Sequence, residues 1–140
     1  RGVDAHVADK ITEETLSRAV SFAKKFAKQT GAVIAITGAI DIVSDGEKAY
    51  CIYNGHPMMG SVTGTGCQLS ALIAAYVTAN PKNPLEAAAA AVCLMGICGE
   101  KAYARLQEQD GNATYRNYIM DAVFNLSGEE LEKCAEYEVF

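Results

Sequence analysis

The residue types best suited to chemistry stand in one continuous run, Val62-Thr63-Gly64-Thr65-Gly66-Cys67. The run leads directly into the apolar pattern of residues 68–77, which predicts a helix that begins here. A helix N-terminus binds anions, because it leaves N–H groups without acceptors and carries the positive end of the helix dipole. The two glycines allow the tight bend that would bring this backbone close to a phosphate. We therefore predict an anion site at residues 64–67.

Cys67 lies in the first turn of the predicted helix, where the same field favours the thiolate form of a cysteine. Two simpler interpretations stay open, because a Gly-x-Gly sequence is also typical of a tight turn and a lone cysteine is often a small buried apolar residue. A third is a cysteine hydrolase or acyltransferase, with Cys67 as the nucleophile and His56 as the base. No further residue stands at a spacing that would orient His56.

The composition predicts one folded unit over residues 1–140. Of these residues 50 % are hydrophobic and 21 % are charged, which is enough to bury a sizeable core. The net charge of −5, with acidic and basic residues interleaved, offers no basic face for nucleic acid. No uninterrupted apolar run reaches the roughly 18 residues that a membrane span needs. We therefore expect neither a nucleic-acid partner nor a membrane segment.

The five cysteines argue against a disulfide framework, since they are odd in number and form no Cys-x-x-Cys pair. They predict reduced thiols in a cytoplasmic protein, with no metal ligands among the residues of this chain. The first residue is Arg1 rather than Met, which we interpret as the mark of a trimmed chain or a fragment.

The first part of the chain predicts an α/β fold. An amphipathic pattern indicates a helix over residues 13–29, and Gly31 would end it. The continuous apolar run 32–37 indicates a buried strand in a parallel sheet. Asp45-Gly46 then separates two short strand patterns, 40–44 and 48–53, and Asn54-Gly55 gives a second turn signal. We predict antiparallel hairpin strands at one edge of the sheet.

The remainder of the chain predicts helices. Residues 68–79 are apolar almost all round, residues 85–108 are apolar as far as Ile97 and amphipathic after it, and a third apolar stripe runs from 115 to 126. Ser127 and Glu130 form a capping box for a last short helix. The two apolar helices need cover on both flanks, so we expect either further sheet outside this chain or a partner subunit.

Three motifs together resemble a known family. Thr37-Gly38 ends the predicted strand, Asn54-Gly55-His56 forms the turn, and residues 62–67 open the apolar helix. This combination closely resembles hydroxyethylthiazole kinases, a branch of the ribokinase-like superfamily in which the glycine motif ends in Cys where most members have Asp. Members of the family are substantially longer, and the chain resembles their C-terminal half.

The resemblance implies ATP-dependent phosphorylation of the hydroxyl of 4-methyl-5-(2-hydroxyethyl)thiazole, a step of thiamine salvage. It also implies Mg²⁺ and a homotrimer with active sites between subunits. By position, Thr37 would contact the nucleotide, Gly64 the thiazole alcohol, and Cys67 the reacting hydroxyl. The amides of Thr65 and Gly66 would complete an anion hole for the transferred group. Other family features, an arginine for the phosphates and acidic residues near the metal, have no counterpart here.

A non-catalytic interpretation also stays open. An isolated half of such an enzyme would lack part of the site, and its apolar helices could serve assembly or regulation instead.

Overall fold

The computed structural model describes residues 14–140. These residues form a small sheet with helices on both faces. The elements are α1 (Leu16–Thr30), β1 (Ile34–Ile36), β2 (Asp41–Ser44), β3 (Ala49–Ile52), a 3₁₀ helix (Pro57–Ser61), α2 (Thr65–Ala79), α3 (Pro84–Ala104), α4 (Asn112–Asn125), α5 (Gly128–Cys134) and β4 (Tyr137–Val139).

The sheet is antiparallel throughout, with the strand order β1-β2-β3-β4. The prediction of a buried parallel strand is therefore wrong for the described residues: β1 pairs antiparallel with β2, and its central residue Ala35 is exposed. The apolar run predicted the strand, but it carries no information on strand direction or on what covers the strand. The outer edge of β1 has no neighbouring strand among residues 14–140.

The hairpin of β2 and β3 is confirmed, with its turn at Asp45-Gly46. It lies in the middle of this sheet rather than at an edge, because β4 adds to the outer side of β3. The turn signal at Asn54-Gly55 leads into the 3₁₀ helix and not into another strand. The short strand β4 was not predicted, since its three residues are too few for their alternation to indicate a strand.

The helices follow the sequence patterns closely, with shifts at their ends. α1 begins at Leu16 rather than at 13 and ends where Gly31 adopts a left-handed conformation, φ +67°. α2 begins at Thr65, before the apolar pattern starts, and α3 ends at Ala104 rather than at 108. The capping box of Ser127 and Glu130 is present in full.

The core lies on two faces of the sheet, because successive strand residues point to opposite sides. Ile42 and Cys51 face α1, while Val43 and Ile52 face α3 and its neighbours. α4 fixes its position on α3 through the buried Tyr115, whose hydroxyl donates to the carbonyl of Gly99 at 3.0 Å. Burial raises the pKa of Tyr115 to about 12.

The two apolar helices differ in how much of their surface is buried by the rest of the protein. α3 is buried over most of its length, and although it is long and apolar enough to cross a membrane, 72 % of its most apolar window is buried inside the protein. In α2 only Leu69 is buried. The expected need for further cover therefore applies to α2.

Candidate active site

The N-terminus of α2 has the geometry predicted for an anion site. Gly64 precedes the helix with φ +96° and provides no side-chain cap. The first α2 amide with a helical acceptor is that of Gln68, which donates to the carbonyl of Gly64 at 3.0 Å. Within residues 14–140, the amides of Thr65, Gly66 and Cys67 donate to no carbonyl or side chain. These three amides are therefore free to donate to a ligand.

The space in front of this loop is open. A Cβ atom built on Gly64 or on Gly66 would meet no other atom within 4 Å. The positive φ explains the glycine at 64. Gly66 has no such requirement, because it lies in the helix and its φ is not in the left-handed region. The absence of a side chain at 66 therefore leaves room for something outside the described residues.

Cys67 is an exposed thiol in the first turn of α2. All five cysteines are free in the structure. Cys51, Cys93 and Cys98 are buried, and burial raises the pKa of each to about 11. The simple interpretation of Cys67 as a buried apolar residue is wrong, because its side chain lies at the surface.

Thr37 lies directly after β1 and is exposed. A groove of about 580 Å³ separates β1 from α2, lined on the strand by Val33 and Ala35 and on the helix by residues that include Ser70. Thr37 continues the alternation of Val33 and Ala35, and Cys67 precedes Ser70 by about one helical turn. Neither Thr37 nor Cys67 lines this groove: Thr37 follows β1, and Cys67 lies in the first turn of α2.

His56 does not join Cys67. Its Nδ1 accepts the N–H of Met58 at 3.2 Å, and its ring stacks on that of Tyr103 with the centroids 3.5 Å apart. Within the described part of the chain no hydrogen bond links His56 to Cys67. The structure therefore gives no support to a hydrolase with His56 as the base.

Asp41 is a half-buried carboxylate near Thr37, and its sequence pattern does not mark it as a functional residue. Its Oδ1 accepts the N–H of Gly38 at 2.8 Å, across the turn between β1 and β2. Burial raises the pKa of Asp41 to about 6, and the hydrogen bond from Gly38 acts in the opposite direction. An aspartate before an apolar strand resembles any turn residue, so only the fold reveals its environment.

This raised pKa predicts a pH-dependent stability. The folded chain binds the proton of Asp41 more tightly than the unfolded chain, whose carboxyl has the ordinary value of 3.8. The stabilising contribution is therefore complete below pH 3.8 and is lost as the pH rises through 6. At about 1.4 kcal/mol per pKa unit, Asp41→Asn should raise the free energy of unfolding at pH 7 by about 3 kcal/mol.

Urea unfolding of both proteins at several pH values between 4 and 7 measures this difference. The asparagine oxygen can still accept from Gly38, so the variant removes the charge and keeps the hydrogen bond. An unchanged pH slope in Asp41→Asn would contradict the assignment to this carboxyl.

The described residues do not fit a metal centre of their own. Residues 14–140 contain no group of three His, Cys, Asp or Glu side chains arranged to hold a metal ion. A metal ion at this site would therefore need ligands from a bound nucleotide or from residues outside that range.

Comparison with known proteins places the chain in a family. The family model described as "Hydroxyethylthiazole kinase family" matches residues 1–129. A hydroxyethylthiazole kinase of Clostridium acetobutylicum is 59 % identical over 140 residues, which cover 100 % of this chain and 51 % of that protein. Hydroxyethylthiazole kinase 2 of Clostridium botulinum strain Langeland is 38 % identical over 133 residues, covering 95 % of this chain and 48 % of that protein.

A solved structure agrees with these matches. The hydroxyethylthiazole kinase protein from Pyrococcus horikoshii OT3 superimposes with a TM-score of 0.81 at 31 % identity, over 91 % of this chain and 48 % of that one. The chain thus spans about half the length of its relatives, and it corresponds to their C-terminal half, as the resemblance predicted. The match extends over almost all of the chain in every comparison, and the chain therefore belongs to the hydroxyethylthiazole kinase family.

Proposed function

We propose that this chain forms the phosphoryl-transfer half of an enzyme that phosphorylates 4-methyl-5-(2-hydroxyethyl)thiazole with ATP, in thiamine salvage. One observation carries the proposal: the unpaired amides at the start of α2 face open space beside an exposed thiol. The names of its relatives support the same reaction. The five free cysteines fit a cytoplasmic enzyme.

In this proposal the amides of Thr65, Gly66 and Cys67 stabilise the transferred phosphoryl group. As the hydroxyl oxygen forms its bond to the γ-phosphorus, the bond between that phosphorus and the bridging oxygen of ADP breaks. Negative charge is spread over the equatorial phosphoryl oxygens, and fixed N–H donors stabilise it without rearranging. Gly64 contacts the thiazole alcohol, and Thr37 contacts the nucleotide.

Cys67 orients the hydroxyl and accepts its proton late in the reaction. Phosphoryl transfer through a loose transition state makes little demand on a base, so the contribution of this thiol is modest. Mg²⁺ would be held by the nucleotide phosphates and by residues outside 14–140, because no metal cluster occurs within that range.

The rest of the site comes from outside the described residues. The uncovered side of α2 and the unpaired edge of β1 are surfaces that a further half or another subunit would cover. A homotrimer with active sites between subunits would supply such cover.

Reconstitution tests the proposal directly. The chain is joined to the N-terminal half of the Clostridium acetobutylicum relative, and phosphorylation of the thiazole alcohol is measured with ATP. We expect activity from the joined protein, none from the chain alone, and protection of Cys67 from iodoacetamide by ATP. A folded joined protein without activity would contradict the proposed reaction. Activity from the 140 residues alone would contradict the need for a second half.

Replacing Cys67 by aspartate tests its role. We expect Cys67→Asp in the joined protein to retain kcat within about threefold or to raise it, since a carboxylate accepts a proton readily and most ribokinase-like kinases use one here. Cys67→Ala, the matched control without an acceptor, should be slower by roughly 10-fold. A collapse of turnover in Cys67→Asp would contradict the assigned role.

A further inference from the structure

Four residues of α3 lie along the segment that connects β3 with residues 62–67, which we call the glycine loop. Gly96, Gly99, Glu100 and Tyr103 recur at helical spacing, so they share one face of the helix. We call them the α3 stripe, and we call residues 54–61 the connecting segment.

Glu100 makes the polar contacts of the stripe. Its Oε1 accepts the N–H of Gly55 at 2.6 Å and the side-chain amide of Asn54 at 3.4 Å. Hydrogen bonds to an ionised acceptor are shorter and stronger than those between neutral groups. The start of the connecting segment is thereby tied to the C-terminal part of the most buried helix.

The two glycines let the connecting segment approach α3 closely. A Cβ atom on Gly96 would lie 2.6 Å from the carbonyl oxygen of Asn54, and one on Gly99 would overlap the thioether of Met59. Tyr103 completes the stripe by stacking on the ring of His56. The segment is therefore held at several points along one helix face.

Asn54 is also held from the opposite side. Its side-chain amide donates to the carbonyl of Cys134 at 3.0 Å, and its Oδ1 accepts the N–H of Glu136 at 2.8 Å. Asn54 is buried, with 6 % of its surface exposed. The link between α5 and β4 thus fixes the same residue that Glu100 contacts.

Hydrogen bonds also link the connecting segment to the glycine loop. The N–H of Val62 donates to the carbonyl of Met59 at 3.1 Å, and the hydroxyl of Thr65 is 3.4 Å from the carbonyl of Val62. Asn112 of α4 donates to the carbonyl of Ser61 at 2.9 Å. A shift at Gly55 is therefore transmitted to the loop through a short, bonded stretch.

We propose that Glu100 is a positioning residue for the glycine loop, acting through Gly55 and Asn54. The inference rests on the proposed function. Glu100 touches no reacting atom; it holds the connecting segment so that the amides of residues 65–67 meet the phosphoryl group at the required place. Displacements of about 1 Å in such groups can lower a rate by as much as roughly 100-fold.

Kinetics of the joined protein test the proposal. We expect Glu100→Ala to lower kcat by roughly 10- to 100-fold, while KM for the thiazole alcohol stays within about threefold. Glu100→Gln should recover most of kcat, because its side-chain oxygen can still accept from Gly55. Glu86→Ala, which removes an exposed carboxylate in the first turn of the same helix, is the matched control and should retain the wild-type kcat.

A residue that only stabilised the fold would give a different pattern. Glu100→Ala would then lower the melting temperature and leave kcat per folded molecule unchanged, which would overturn the proposal. Equal losses in Glu100→Gln and Glu100→Ala would overturn the assigned hydrogen bond.

Hydrogen exchange of the 140-residue chain tests the same inference without activity. In Glu100→Ala we expect faster exchange at the hydrogen-bonded amides from Gly55 to the start of α2, which are those of Gly55, Met58, Met59, Val62 and Gln68. Faster exchange confined to residues 54–56 would overturn the proposal. If the wild-type joined protein shows no phosphoryl transfer, the proposed function fails, and the exchange result still decides whether Glu100 positions the loop.

Discussion

Gly66→Ala should lower kcat of the joined protein by on the order of 100-fold without weakening the fold. The added methyl group would stand in the open space in front of the loop, where the proposed phosphoryl group lies. Its contact would displace that group from the amides of Thr65 and Cys67. The backbone conformation at this position is compatible with alanine, because Gly66 lies in α2 and its φ is not positive.

Stability and activity should therefore move in opposite directions. Alanine is favoured over glycine inside a helix by up to about 1 kcal/mol, so the melting temperature should be equal or higher. Gly128→Ala is the matched control: it lies in α5, a Cβ there also meets no atom within 4 Å, and it should leave kcat unchanged. Wild-type turnover in Gly66→Ala would show that no ligand occupies this space.

Gly96→Ala should have the largest destabilising effect of these substitutions. The new Cβ atom would lie 2.6 Å from the carbonyl oxygen and 2.7 Å from the carbonyl carbon of Asn54, and backbone atoms cannot move aside cheaply. Overpacking of this kind costs about 1–3 kcal/mol. For a chain of this size the melting temperature should fall by roughly 4–12 °C, measured by circular dichroism.

Gly99→Ala provides the comparison, because the overlapping atoms there belong to the flexible side chain of Met59. Met59 can adopt another rotamer, so the loss of stability should be smaller than in Gly96→Ala. Similar losses in the two variants would contradict the close backbone approach at Gly96.

The helices were predictable because their signals are local. The apolar pattern of α2 and α3, the capping box at Ser127 and the glycine after α1 each act over a few residues. The anion geometry at the start of α2 was predictable for the same reason, since it needs only two glycines and a helix that begins there. The exposure of Cys67 was not, because it depends on what packs against that turn.

The environment of Asp41 and the direction of β1 depend on residues distant in sequence. The sequence shows an aspartate before an apolar strand, but its raised pKa follows from burial between elements. The apolar run at β1 is compatible with either strand direction, and only the register with β2 decides it. The contact of Glu100 with Gly55 joins residues 45 positions apart and has no signature in the chain.

The sequence by itself determined where helices and turns form, the glycine-bounded start of α2, and the family to which the chain belongs. These properties depend on neighbouring residues and on motifs that keep their spacing. The tertiary structure decided the antiparallel order of the sheet, the exposure of the thiol at Cys67, and the hold of the α3 stripe on the connecting segment. Those properties arise from contacts between elements, because burial, dielectric environment and close approach exist only once the elements are packed together.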